Sequence, residues 1–420
     1  MTLPAVILYA DRPAAQYLVG GLPLVSRHIK ELHKLGVRRF YLCGVSQVPQ
    51  GILHSRLPED VVLHALPYTP GDLPQQLRAL LHTPGDLLLV RGDCLIDPRL
   101  LGVLLAQTVS HWLPAPGAPA AALPAAARLS SEGLDAWAST GLTPWLQHSP
   151  MLDLASLDNY SPSHRGPVSF YVLAVNTPVD AETATWTLIR TAQKRALDLP
   201  ARLLHPWFEN PLVFWLCHTR ITPNQVTVFT VGLGVLVAAL FLNGWLRCGI
   251  LLAYAVAVLD GVDGKLARTK LQTSRFGELE HVFDFFVEHL WYLTITVFLV
   301  ASTGRYALWW VGGGLMVCDL LDNLLYYTGQ VWLGKLLDEL GPFDRGFRLI
   351  GGRRNIYVWM FCLGFWAGIA VPTLVATLLW AILTVLVHGS RLVYHVARRP
   401  AGSPTAALQG VGASVHEASE

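Results

Sequence analysis

Charge is scarce in this sequence. Only 14% of its 420 residues are Asp, Glu, Lys or Arg, and the formal net charge is +2. So even a balance argues against a broad basic surface for a polyanion, and no nucleic-acid partner is expected. Cysteine is sparse too. Cys43, Cys94, Cys217, Cys248, Cys318 and Cys362 are scattered without a CxxC pair. That pattern points to neither a zinc site nor a disulfide framework. The opening MTLPAVILYADRP has no basic n-region and only a short apolar run. A signal peptide is not expected, and the N-terminus is expected to remain in the cytoplasm.

What is present is apolar, and unevenly so. Mean hydropathy is +0.41. The first half mixes charges, prolines and short apolar runs, whereas long apolar stretches dominate from about Val226 onward. The pattern reads as an α/β head (residues 1–195) on an all-α membrane body. In the head, residues 5–10, 39–43 and 86–90 read as strands and 27–35 as a helix ending near Gly36. Their alternation predicts a parallel sheet. Residues 114–127, rich in Ala and Pro, are expected to form a loop or a weak edge.

Residues 196–225 bridge the two parts. His205, Trp207, Phe214, Trp215 and Arg220 suit a helix at the lipid headgroup level, or an ordinary amphipathic linker. Six stretches within 226–395 then approach bilayer length: 226–244, 248–266, 281–302, 306–328, 356–373 and 374–394. Only Pro372 separates the last two. Lys265, Arg268, Lys270 and Arg275, then Lys335, Arg345, Arg348, Arg353 and Arg354, then Arg391, Arg398 and Arg399 fall on one side. The other side has Arg247 and Arg305. An integral protein of the cytoplasmic (inner) membrane with both termini cytoplasmic is expected. Residues 396–420 read as a disordered tail.

Acids stand inside this apolar body. Asp260 and Asp263, three residues apart, share a helix face at the end of the second stretch. Carboxylates within a span are costly and mark function by default. Gly264 and Ala267 are small enough for close approach, and Arg268 suits a phosphate oxygen. Glu280, Asp284 and Glu288 recur every fourth residue on the third stretch. Hard oxygen ligands from two helices suit Mg²⁺, Mn²⁺ or Ca²⁺ rather than zinc. Such a site would hold a diphosphate, with a further carboxylate as general base. A structural charge network is the other reading.

Asp260-x-x-Asp263-Gly264-x-x-Ala267-Arg268, then eight residues, then Gly277, resembles the signature of CDP-alcohol phosphotransferases. The family continues with two acids, four and eight residues after that glycine. Here those positions hold His281 and Phe285, and the acids lie one earlier, at Glu280 and Asp284. A single deletion after Gly277 restores the register. A less favoured frame uses Asp284 and Glu288. The resemblance implies Asp260, Asp263, Glu280 and Asp284 as ligands of one or two Mg²⁺ or Mn²⁺ ions, with Asp284 also the catalytic base. Residues 221–227 resemble the family's Thr-Pro-Asn segment. That implies a CDP-binding set of Asn224, Gly264, Ala267, Arg268 and Gly277.

The resemblance covers roughly 205–395. It implies a six-helix bundle in the lipid bilayer, often a homodimer. It also implies transfer of a phospho-alcohol from a CDP-alcohol donor to an acceptor alcohol, lipid or polyol phosphate, with release of CMP. Arg353 and Arg354 are candidates for an acceptor phosphate, or plain positive-side anchors. Asp319 and Asp322 either line that pocket or pair with arginines. His281 and His289 are proton carriers or packed histidines.

The head weakly resembles sugar-phosphate nucleotidyltransferases. Residues 11–15 lack a Gly-rich loop, Leu22 stands where a phosphate-binding Lys is expected, and Asn176 replaces a second metal-binding Asp. Asp93 matches the first. The resemblance implies a degenerate head that keeps the fold, with an active cytidylyltransferase head as the alternative. Outside enzymes, a membrane scaffold with a decayed site and a transporter are the other readings.

Overall fold

The computed structural model describes residues 5–8, 16–53, 57–67, 73–80, 86–117, 122–272 and 276–398, with backbone alone at 5, 8, 53, 80 and 276–281. The head is built on six short apolar strands. They are β1 (Ala5–Leu8), β2 (Arg39–Cys43), β3 (Val62–Leu66), β4 (Leu87–Arg91), β5 (His111–Leu113) and β6 (Ala126–Leu129). Their order is β3-β2-β1-β4-β6-β5. The first four run parallel, but β6 is antiparallel to both β4 and β5. The sheet is therefore mixed rather than parallel.

The end of the expected 114–127 loop is part of that sheet. Ala126 and Ala127 are fully buried in β6, between β4 and β5. The prolines of that stretch end before the strand, and two small side chains fit beneath packed neighbours. Helix α1 (Leu24–Lys34) places Val25, Ile29 and Leu32 on the sheet, at the helical spacing of one face. It stops before Gly36, whose φ of 92° suits glycine. Helix α2 (Pro98–Ala106) is capped by Asp97, whose Oδ1 accepts from the Arg99 amide at 3.0 Å. Helix α3 (Pro178–Thr191) closes the head and starts with a Thr177–Asp180 capping box.

A linker helix, α4 (His205–Cys217), leads to the bundle. There follow α5 (Pro223–Leu242), α6 (Leu246–Lys270), α7 (Phe276–Thr303), α8 (Leu308–Leu333), α9 (Arg354–Trp366) and α10 (Ala370–Ala397). These fall on the six expected stretches. Among the described residues, α5, residues 282–303 of α7, α8 and α10 are long and apolar enough to cross a bilayer. Helix α6 carries Arg247, Asp260 and Asp263 within its apolar run. Helix α9 has 13 residues, a rise of about 20 Å against about 30 Å of hydrocarbon. The break between the last two helices is not at Pro372. It falls at residues 367–369, with Gly368 at φ 74°. Pro372 lies in the first turn of α10, where a missing N–H breaks no hydrogen bond.

Val237, Phe241, Ala253, Trp291, Ile295, Leu315, Phe361 and Ala381 form the bundle core. A second cluster joins head to bundle: Ile189 of α3, Val213 and Leu216 of α4, Val226 of α5, Val262 and Leu266 of α6. Trp186 of α3 stacks on Phe214 of α4 at 4.7 Å. Head residue Arg165 pairs with Asp338, which Arg348 also reaches at 3.3 Å. The head thus seats on the end of the bundle that carries the basic loops.

Candidate active site

Helix α6 presents its acids where the apolar cluster ends. Asp263 is 3% exposed. Its Oδ2 accepts from the Thr227 hydroxyl of α5 at 2.7 Å, and its Oδ1 from the Gly264 amide at 2.6 Å. Donors of this kind stabilise the ionised carboxylate. One turn earlier, Asp260 forms an ion pair with Arg354 at the start of α9. The same guanidinium reaches Asp284 of α7, Nη1 to Oδ1 at 3.2 Å. Three helices thus converge on one cation between two carboxylates. Each of these carboxylates is about a quarter exposed, so the cluster opens to the end of the bundle.

The small residues beside them have steric reasons. A Cβ on Gly261 would overlap the Glu209 carboxylate of α4. A Cβ on Gly264 would lie 3.4 Å from Arg268 Nη1, so that guanidinium spreads over the Gly264 backbone. Arg268 Nε donates to the Ala192 carbonyl, just past α3, at 2.9 Å. Asn224 is the second residue of α5, one turn before Thr227, and Ala267 is partly buried on α6. Gly277, Glu280 and His281 are described by their backbone alone. Of the two displaced acids, Glu280 and Asp284, the structure describes the side chain of Asp284.

Deeper in the bundle the acids have their own partners. Tyr292 donates to Glu288. Asp322 bonds His388 Nδ1 at 2.5 Å, and Asn323 donates to Asp319 Oδ2 at 3.3 Å. His289 Nδ1 donates to the Phe285 carbonyl at 2.9 Å, with Nε2 3.8 Å from Asp319. Arg353 lies over the Tyr326 ring, 4.2 Å from its centroid.

Sequence reasoning missed a buried triad on the linker helix. Lys265 Nζ is 2.6 Å from Glu209, which His205 Nδ1 also meets at 3.2 Å, and Asn210 accepts from Lys265 at 2.7 Å. Glu209 and Lys265 are 3% and 2% exposed. The available signal was a carboxylate inside an aromatic helix that needed a partner.

Asp260, Asp284 and Asp263 offer only hard oxygens, gathered on two helices, and two of them already share a cation in Arg354. Such oxygens are the ligand type that Mg²⁺ or Mn²⁺ takes, although among the described residues no group of three or more His, Cys, Asp or Glu is placed to hold a metal ion. In the head, Asp93 has lost that freedom. Arg91 clasps it in a two-point bond, Nε to Oδ1 at 2.8 Å and Nη2 to Oδ2 at 2.7 Å.

Residues 220–339 match the family model of CDP-alcohol phosphatidyltransferases, and this region is such a domain. A bifunctional IPC transferase and DIPP synthase of Aquifex aeolicus is 28% identical over 222 residues, 51% of this chain and 50% of the relative. A protein of the same description from Thermococcus kodakarensis is 28% identical over 215 residues, 50% of this chain and 47% of its own. The chain spans about half the length of these curated relatives. Among solved structures, HddC from Yersinia pseudotuberculosis aligns at 11% identity and TM-score 0.29, over 44% of this chain and 98% of its own. A UDP-glucose pyrophosphorylase from Acinetobacter baumannii aligns at 8% identity and TM-score 0.31, over 44% and 93%.

Proposed function

We propose that this chain, whose residues 220–339 form a CDP-alcohol phosphatidyltransferase domain, moves a phospho-alcohol from a CDP-alcohol to an acceptor alcohol and releases CMP. The single observation that carries this is the meeting of Asp260, Asp284 and Arg354, with Asp263 one turn along the same helix. The donor diphosphate lies against the end of α6, with Gly264 admitting it to the backbone and Arg268 meeting a phosphate oxygen. Asn224 stands at the cytidine side. Asp284 accepts the proton of the acceptor hydroxyl. That oxygen forms a bond to the phosphorus carrying the alcohol, and the bond from that phosphorus to CMP breaks. CMP leaves with the bridging oxygen. Asp260, Asp263, Glu280 and Asp284 would hold a divalent ion such as Mg²⁺ or Mn²⁺, which would neutralise charge on the diphosphate. Arg354 holds Asp260 and Asp284 in place, and Arg353 and Arg354 meet the acceptor phosphate where the acceptor has one. The acceptor is a lipid or a polyol phosphate.

The protein sits in the cytoplasmic membrane as a homodimer, with its helical bundle in the bilayer and the head and basic loops in the cytoplasm. The degenerate head orients the bundle rather than making the donor. One observation favours a non-catalytic scaffold instead: Arg354 neutralises two of the carboxylates.

CMP release from a panel of CDP-alcohols, with Mg²⁺, Mn²⁺ or chelator, decides between the two. Metal-dependent release is expected, and Asp263→Asn is expected to abolish it while the protein stays monodisperse in detergent. Retained release by Asp263→Asn would remove that residue from the site. No release and no CDP-alcohol binding by the wild type would favour the scaffold.

A further inference from the structure

Helix α6, which carries Asp260, Asp263 and Arg268, ends inside the contact between head and bundle. Its last carbonyls have no helical partner. The amide of Gln272 bonds the Ala267 carbonyl at 2.9 Å, and Leu271 takes the left-handed conformation at φ 52°. The Thr269 carbonyl is taken by the head: the Arg27 guanidinium of α1 donates to it. Arg27 is 1% exposed, and the same guanidinium donates to the Val19 carbonyl at 3.0 Å and meets Glu31 at 3.5 Å. A cation at this position also opposes the negative end of the α6 dipole.

The surroundings are built for that contact. At Gly20, φ is 59°, and a Cβ there would lie 2.6 Å from Arg27 Nη2 and 2.9 Å from Thr269. A Cβ on Gly21 would overlap the Cys217 carbonyl at the end of α4. Gly20 thus lets the head reach Thr269, and Gly21 lets it reach the end of α4. Less than one turn before Thr269 on the helix, Arg268 Nε is held by the head's Ala192 carbonyl. The carbonyl end of α3 carries partial negative charge and suits a guanidinium. Adjacent residues of α6 are therefore gripped from two different head helices, and one of them is the arginine of the proposed CDP site.

We propose that Arg27 is a positioning residue for the membrane domain: by capping the end of α6 it fixes Arg268 over Gly264, so the head sets how well the CDP-alcohol is held. This rests on the proposed phosphotransfer. Arg27 does not touch the substrate. Its loss therefore acts on donor binding more than on the chemical step.

The test uses the full-length protein in detergent. Removing Arg27 alone leaves Glu31 buried without its partner, so the main variant is R27M/E31Q, with R27K as the conservative one. Hydrogen exchange over 264–272 and over the head is followed with CMP-release kinetics. R27M/E31Q is expected to exchange faster over 264–272 with an unchanged head. Its KM for the CDP-alcohol is expected to rise about tenfold with kcat within about twofold, the size of one lost charged hydrogen bond. R27K is expected to fall between. Unchanged exchange over 264–272 with unchanged KM overturns the proposal. So does faster exchange spread evenly through the head, which would make Arg27 a fold-holding residue only. If the wild type releases no CMP, the phosphotransfer reading fails by itself. The local exchange then decides whether the grip exists.

Discussion

Single side chains in this protein are fixed by how few partners the interior offers. Arg354 answers two carboxylates at once, and Asp263 has both its oxygens engaged by α5 and by its own backbone. His28 of α1 is the opposite case. Its Nε2 donates to the Cys94 carbonyl at 2.7 Å, and its Nδ1 is buried with no partner. A second proton would place an N–H at Nδ1 with nothing to receive it. Burial pushes the ring down from its usual range to about 4; the nearby Arg27 charge acts in the same direction, while the Cys94 carbonyl and Asp93 oppose it. The folded value lies below the unfolded one. His28 therefore contributes stability that is full above about pH 6.5 and is lost as pH falls through about 4. The shift corresponds to on the order of 3 kcal/mol. In His28→Gln, whose amide can still donate to Cys94, the fall in melting temperature between pH 6.5 and 4 is expected to flatten. An acid limb identical to the wild type would show that His28 does not set it.

At the scale of elements, α4 and α6 are joined by charge as well as by apolar packing. Gly261 gives Glu209 the space to lie on α6, and Lys265 closes the pair. Removing one partner of a buried pair costs about 3–5 kcal/mol, because the other charge is left unpaired. Glu209→Ala is therefore expected to lower the melting temperature in detergent sharply. Glu209→Ala combined with Lys265→Met is expected to recover most of the loss. A double variant no better than the single one would mean that Glu209 acts by packing alone. This latch was only half legible in the sequence. Lys265 stood inside the recognised motif, and Glu209 stood in a linker noticed for its tryptophans. The helical placing of the acids of α6 and α7 was legible in their spacing of three and four residues. Strand β6 was not, since alanine has no strong strand preference and the prolines before it suggested a loop. The break at residues 367–369 was missed because Pro372 looked like the stronger signal, although proline is tolerated in a first helical turn.

For the whole molecule, the least legible feature is how the head sits on the bundle. Arg27 and Arg268 bond backbone carbonyls, Thr269 and Ala192, which leave no trace in residue type. Two roles for the head can be separated at Asp93. If the head used a metal of its own, Asp93 would have to be open to it. Instead both carboxylate oxygens are bound by Arg91, and the side chain is nearly buried. The grip on α6 runs through α1 and the residue after α3. Asp93→Ala is therefore expected to leave CMP release from a supplied CDP-alcohol unchanged, in the same assay in which R27M/E31Q raises KM. The substitution leaves Arg91 without its carboxylate, so a moderate fall in melting temperature is expected beside the unchanged turnover. Loss of turnover in a folded Asp93→Ala protein would mean that the head contributes chemistry as well as position.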